Sequence, residues 1–170
     1  VTHETEFIPR PYTLIIDTRE QASHDFHNIP ADTADDKKGG VLAIKTKRLG
    51  LKTGDYSIEG LQHRVAVERK SMEDLYNCVG NDRHRFEQQL SRLNELECGV
   101  VVVEADLRRI NEGCEHSKLH PKTIERSMIS WQQDAFPKVH WWLCPTRRSA
   151  EVITFRILDR FWRKHAMDGV

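Results

Sequence analysis

Leu14 to Ile16, Val65 to Val67 and Val100 to Val103 are short stretches of this chain that are apolar at every position. Successive side chains of a strand point to opposite faces, so an unbroken apolar run is satisfied only where both faces of a sheet are covered. That demand excludes an open one-sided sheet and points to an α/β chain with helices packed on both sides. The intervening segments supply those helices. Phe86, Leu90, Leu93 and Leu96 recur at helical spacing over 82–97, and Pro121 suits a first turn leading into a helix from Lys122 to Ala135. From Arg147 onward, Val152, Phe155, Leu158, Phe161 and Trp162 mark an amphipathic helix. Further strands are expected from Tyr12 to Asp17, at Val41 to Leu49, at Val139 to Leu143, and as an antiparallel pair, Gly54 to Ile58 with Val65 to Lys70, turning at Glu59 and Gly60. Trp141 and Trp142 face opposite sides of the last strand, and both are assigned to the core.

At 170 residues the chain suits one domain with a substantial core. Its 26 basic residues balance 26 acidic ones, so net charge alone does not mark a nucleic-acid partner. Cation-binding carboxylates can offset phosphate-binding cations elsewhere, and distribution matters more than the sum. No apolar run reaches the roughly 18 residues of a membrane span, and no signal-peptide pattern opens the sequence. An intracellular protein without a membrane partner or a nucleotide cofactor is expected. The four cysteines lack a Cys-x-x-Cys pair, and Cys114, His116 and His120 fit no recognised metal template. Residues 1–11, with two prolines, read as a flexible N-terminal arm, and 31–40, rich in Asp, Lys and Gly, as a mobile loop.

The chemistry concentrates where Val65 to Lys70 turns abruptly charged. Ala66, Glu68 and Lys70 share one strand face, and Arg69 points to the other. Asp55 on the preceding strand comes near Glu68, gathering carboxylates around one ammonium group. Hard divalent cations take such oxygen ligands. Taken alone, Glu68 and Lys70 are better accounted for by an ion pair at a strand end.

Gly54-Asp55, then Glu68-Arg69-Lys70, then Asp74 together resemble the signature of the XPF family of structure-specific DNA endonucleases, with every fixed position present. Leu14 to Glu20 resembles that family's first strand with its acidic end, and Arg83 with the helix from Arg85 to Leu90 resembles the segment after the motif. The similarity spans Leu14 to Asp106. It implies a restriction-endonuclease-like three-layer fold, a central mixed β-sheet flanked by helices, over residues 12–170. The tandem helix-hairpin-helix module common in the family is not found in the sequence.

What the resemblance implies is hydrolysis of phosphodiester bonds in branched or flap-like DNA during repair or recombination. Asp55 and Glu68 would bind Mg2+, with Mn2+ as substitute and the backbone carbonyl of Arg69 as a further ligand. Lys70 would help position the attacking water. Asp17 and Glu20 join the acidic site, and the Arg69 side chain either acts there directly or orients Asp17, Glu20 or Asp74. Asp74 belongs to the motif but also completes a Ser71-x-x-acid capping box. Glu104 could serve the site or start a helix. Arg83 and Arg85 are candidates for DNA contact, as are Arg147 and Arg148, whose other reading is solvated charge. Family members work as dimers, which implies a homodimer through the C-terminal helix. The location would be cytoplasmic and nucleoid-associated in a bacterium or phage, nuclear in a eukaryote. Two rival readings stand beside this one: a catalytically inactive DNA-binding or dimerisation module, and another nuclease of the same fold, such as a junction resolvase.

Overall fold

The computed structural model describes residues 6–31 and 39–166. Among these, β1 (Phe7–Ile16), β2 (Val41–Arg48), β3 (Tyr56–Ile58), β4 (Val65–Lys70), β5 (Cys98–Val103) and β6 (Val139–Leu143) form one sheet in the order β2-β1-β3-β4-β5-β6. Strand β3 runs antiparallel to β1 and β4, while β1 with β2, and β4 with β5 and β6, run parallel. The sheet is therefore mixed. Five helices are described: α1 (Met72–Val79), α2 (Arg83–Asn94), α3 (Leu107–Glu112), α4 (Pro121–Ser130), which continues as one π-helical turn over Trp131–Ala135, and α5 (Arg147–Ala166).

The alternation expected of the apolar runs is realised. Val65, Val67, Val100 and Val102 face α5 with Phe155, Leu158 and Phe161. Ala66, Val101 and Val103 face α1, α2 and α4 with Leu75, Phe86, Leu90 and Met128. These seven strand residues are at most 1% exposed. Burying each valine contributes about 1.5–3 kcal/mol, so two cores clamp the central strands from both sides.

Three expectations need correction. Strand β1 begins at Phe7, and Phe7, Ile8 and Pro9 pair with Val41, Leu42 and Ala43, so the arm does not extend to residue 11. Pro9 and Pro11 are tolerated because the register shifts between Pro9 and Thr13 and this half of β1 pairs with β2 alone. Residues 1–5 of the expected arm and 32–38 of the expected loop lie outside the described residues. The helix after β5, α3, begins at Leu107 and is capped by the Asp106 side chain rather than started by Glu104. Trp142 is 48% exposed rather than in the core. It sits on the outermost strand, beside a groove of about 930 Å³ between β6 and α5 that Ile153 and Ile157 also line. Trp141, on the opposite face, does pack inward, stacking on Trp131 with ring centroids 6.0 Å apart.

Among the described residues no helix is long and apolar enough to cross a membrane.

Candidate active site

The strand directions bring four chain segments to one end of the sheet: the exits of β1, β4 and β5 and the entry to β3. Backbone hydrogen bonds lace these segments together just beyond the strands. Asp55 N–H donates to the Val67 carbonyl, Asp17 N–H to the Asp55 carbonyl and Glu104 N–H to the Lys70 carbonyl, each at 2.8 Å. Gly54 makes the approach possible. Its φ is +75°, and a Cβ there would lie 2.9 Å from Ala66 Cβ and 3.0 Å from the Val67 carbonyl oxygen. A residue with a side chain would hold Asp55 away from β4.

Asp55 Oδ2 accepts the Arg69 backbone N–H at 2.7 Å, and Glu68 Oε1 accepts Lys70 Nζ at 2.6 Å. Glu68 is 4% exposed. Burial, and next the charge of Glu68, push the Asp55 carboxyl up to about 8, against the opposing pull of the Arg69 N–H. Burial works to discharge Lys70, but Glu68, Cys78 and Asp55 outweigh it and hold its pKa above the ordinary lysine value. Lys70 Nζ also lies 5.0 Å from the Phe86 ring centroid, which docks α2 against the site.

This donor set fits a small hard cation. Two carboxylates crowd in a buried place, and Asp55 Oδ1 and Glu68 Oε2 carry no hydrogen bond among the described residues. Mg2+ is commonly held by one or two carboxylates, with phosphate and water completing the shell. Among the described residues no group of three or more His, Cys, Asp or Glu stands ready to hold a metal ion, so the protein offers a pair of carboxylates rather than a cage.

A cleft of about 460 Å³ opens over this pair. Of the sequence candidates, Glu20, Asp55, Glu68, Arg69, Lys70, Asp74 and Arg85 line it. Asp17, 1% exposed, lies beneath. Burial raises the Asp17 pKa, but hydrogen bonds from Arg19 and the Leu51 N–H outweigh that and hold it below the usual carboxylate range. Ser71 caps α1 by accepting the Asp74 N–H at 3.1 Å and donates its hydroxyl to the Asp74 carboxylate at 2.8 Å.

Arg69 points behind the sheet, as strand alternation requires. Its Nε and Nη2 bind both oxygens of Glu104 at 2.6 and 2.7 Å, and its Nη1 lies 3.6 Å from Glu20. Its main partner is therefore Glu104, not Asp17 or Asp74. Glu104 does not start a helix, since Asp106 caps α3. It also accepts Arg147 Nη1 at 3.2 Å and lies 3.8 Å from the buried ring of His24. Burial, with the nearby charges of Arg147 and Arg69, depresses His24 to about 3.

The remaining DNA-contact candidates are occupied by the protein itself. Arg147 donates to the Ala22 and Ser23 carbonyls, and Arg148 to Glu151 and the His27 and Asn28 carbonyls. Arg83 binds Glu87 and Ser127. Cleft residues that sequence reasoning passed over include Arg19, Lys52, Gln89 and Arg92. A signal for the last two was present: with Phe86, Leu90 and Leu93 buried, positions 85, 89 and 92 form the neighbouring stripe of α2. Glu104 was noted at the end of its strand, but nothing in the sequence signalled its meeting with Arg69, which depends on the register of β4 against β5.

A family model for the ERCC4 domain matches residues 16–154. Among solved structures, XPF from Aeropyrum pernix superposes with a TM-score of 0.62 at 17% identity, covering 88% of this chain and 61% of that one. XPF from Aeropyrum pernix in complex with DNA gives 0.61 at 17% identity, with 90% and 66% covered. At that identity the likeness is one of fold, and this chain spans less than two thirds of those chains. Comparison with curated proteins returned no match.

Proposed function

The chain belongs to the ERCC4 domain family, and from that premise we propose that it is a divalent-metal-dependent endodeoxyribonuclease. Membership supports a nuclease role in general terms. The observation that carries the finer reading is the buried Asp55 and Glu68 pair, with Lys70 beside it, under an open cleft.

Asp55 and Glu68 would hold Mg2+ or Mn2+, with the Arg69 carbonyl as a further ligand. When bound, the ion supplies charge neutralisation at the scissile phosphate and a nucleophilic water at neutral pH. Glu68 keeps Lys70 charged in place, where the ammonium group orients water and offsets phosphate charge. Arg69 acts as a positioning residue. Its side chain is fixed by Glu104 and faces Glu20, while its backbone N–H orients Asp55. Asp17 supports the same carboxylate from beneath, through its N–H to the Asp55 carbonyl. Asp74 shapes the rim while capping α1.

The substrate is DNA, with branched or flap-like forms in repair or recombination as the favoured class; the protein acts inside the cell. A second copy of the chain is the proposed protein partner. The buried face of α5 is spent on its own core, so the partner would meet Trp142, Ile153 and Ile157 at the groove beside β6. The rival reading as an inactive module is disfavoured because Lys70 donates to Glu68 and the Arg69 N–H holds Asp55 beside them.

Cleavage of labelled duplex, single-stranded, flap, fork and four-way-junction DNA, with Mg2+, Mn2+ or EDTA, tests the proposal. Cutting should require metal and fall by about 10²-fold or more in Asp55→Asn and Glu68→Gln, with unchanged circular dichroism and DNA binding largely kept. Cutting that persists in EDTA or in either variant refutes the site. A wild type that binds branched DNA and cuts nothing returns the protein to the binding-module reading.

A further inference from the structure

One wall of the cleft is built without regular structure. Residues 17–28 contain no helix or strand, yet Arg19, Glu20, Gln21 and Ala22 line the cleft. With no strand ladder to take them, the carbonyls of Glu20, Ala22 and Ser23 are held by two arginines distant in sequence. Arg48, the last residue of β2, donates to the Glu20 carbonyl at 3.1 Å and to Ser23 Oγ at 2.8 Å. Arg147, the first residue of α5, donates through Nη2 to the Ala22 and Ser23 carbonyls at 2.7 and 2.9 Å, and through Nη1 to Glu104 at 3.2 Å. One guanidinium thus joins the wall to the carboxylate that fixes Arg69. The wall in turn carries Glu20 to within 3.6 Å of Arg69, whose backbone N–H orients Asp55. Helix α5 is a rigid base for this contact, because Phe155, Leu158 and Phe161 are buried against the sheet. The Arg147 side chain is itself 46% exposed. In its absence water can satisfy the Ala22 and Ser23 carbonyls, and Glu104 keeps Arg69, so the fold does not depend on it. Water cannot, however, hold two chain segments at a fixed separation.

We propose that Arg147 is a positioning residue for cleavage: from the first turn of α5 it sets the wall at 20–23 against Arg69 and Glu104, with Arg48 bracing the same wall from β2. The proposal rests on the nuclease reading of Asp55 and Glu68 and adds what holds Glu20 and Arg69 in place beside them. It assigns Arg147 an internal role instead of the DNA contact expected from the sequence. The planar fork matters more here than the charge. Two of its nitrogens reach three acceptors on two segments, an arrangement that the single ammonium group of a lysine cannot span. A displacement of about 1 Å transmitted from such supporting contacts can lower an enzyme's rate by about 10²-fold.

Wild type is compared with Arg147→Met, Arg147→Lys, Arg48→Met and, as a loss of charge away from the cleft, Arg126→Gln on the exposed side of α4. Single-turnover cleavage of labelled fork DNA with Mg2+ gives the maximal rate and the half-saturating protein concentration. Binding of the same DNA in EDTA over a range of salt reports phosphate contacts, and amide nitrogen relaxation reports the order of residues 20–23. Arg147→Met should lower the maximal rate about ten- to a hundredfold, leave half-saturation within about threefold and keep the wild-type salt slope. Its order parameters at 20–23 should fall from about 0.85 toward about 0.6 while those of β4 hold. Arg48→Met should do the same to a smaller extent, Arg147→Lys should not restore the rate, and Arg126→Gln should match wild type. A rate recovered by lysine, with a salt slope reduced by about 0.7–0.9 in Arg147→Met, would mark a DNA contact and overturn the proposal. A wild-type rate or unchanged order in Arg147→Met overturns it equally. If Arg147→Met does not fold, Arg48→Met decides by the same criteria. A wild type that cuts nothing refutes the nuclease reading, and the order parameters alone then decide whether Arg147 holds the wall. A wild type whose cutting ignores both arginines keeps the nuclease reading and overturns the positioning role.

Discussion

Glu104→Met removes the one carboxylate that holds the Arg69 guanidinium by two hydrogen bonds. The Arg69 and Glu104 side chains are 9% and 10% exposed, so water cannot replace the lost partner. Breaking a buried pair by deleting one member costs about 3–5 kcal/mol. Glu20, 3.6 Å from Arg69, offers partial compensation, and Arg147 keeps its two carbonyl acceptors, which places the loss near 3 kcal/mol. For a domain of this size each kcal/mol moves the midpoint by about 2–4 °C, so a fall of about 6–12 °C is expected. Arg69→Met should cost less, near 2 kcal/mol, because Arg147 still pairs with Glu104. The double variant exchanges a buried ion pair for apolar volume, and its loss should fall short of the sum by about 2 kcal/mol or more. Urea unfolding followed by circular dichroism on the four proteins closes the cycle. A Glu104→Met protein within about 0.5 kcal/mol of wild type, or strictly additive losses, would refute the reasoning.

Asp55, held protonated up to about 8, must lose that proton to take a cation. At limiting Mg2+, cleavage should therefore climb about tenfold per pH unit between roughly 6 and 8 and then level, and a flat profile would contradict the assignment. Because this raised pKa favours the neutral acid in the fold, the same group makes the metal-free protein less stable as pH rises from about 4 through 8. His24 acts in the opposite direction: depressed to about 3, it contributes stability that is fully present above about 6.5 and is lost as pH falls toward 3. Between pH 6.5 and 5 these two opposed slopes, each up to about 1.4 kcal/mol per pH unit, offset one another, so urea midpoints of the metal-free wild type should stay nearly level while those of His24→Phe rise as pH falls. Gly54→Ala forces a side chain into a positive-φ position with a 2.9 Å contact to Ala66 Cβ, which should cost about 2 kcal/mol and lower cleavage by displacing Asp55. A stable Gly54→Ala protein of full activity would show that the approach of Asp55 to β4 is not needed.

The sheet's middle was legible because its signal is local. Val65 to Val67 and Val100 to Val103 cannot be satisfied at a surface, whatever their neighbours. The floor of the site was legible for a similar reason: Asp55, Glu68 and Lys70 need only a hairpin between them. What escaped depends on contacts that local pattern does not encode. Glu104 meets Arg69 only through the pairing of Arg69 with Val102 across parallel strands joined by two helices. The first half of β1 was hidden by Pro9 and Pro11, which argue against a strand until the free side of that half is known. Trp142 was misplaced because alternation says which face a residue takes, not whether a helix reaches far enough to cover it. Arg147 and Arg148 drew notice as a cationic pair, yet the carbonyls they bind between Ala22 and Asn28 lie more than a hundred residues away in sequence.

The backbone lacing at the sheet's end bears on when the site comes into being. Asp17, Asp55 and Glu104 donate their amides to carbonyls of adjoining segments, and Arg69 donates to the Asp55 carboxylate, so each is locked by the central strands. Those amides should exchange with solvent only when the whole sheet opens, and a chelator should leave their protection unchanged. A zinc finger is ordered by its ion; here the closing of the sheet sets the carboxylates in advance, and the cation proposed for them would meet a rigid receptor. Little conformational entropy would then be lost on loading, and the free energy of coordination would appear as affinity rather than as folding.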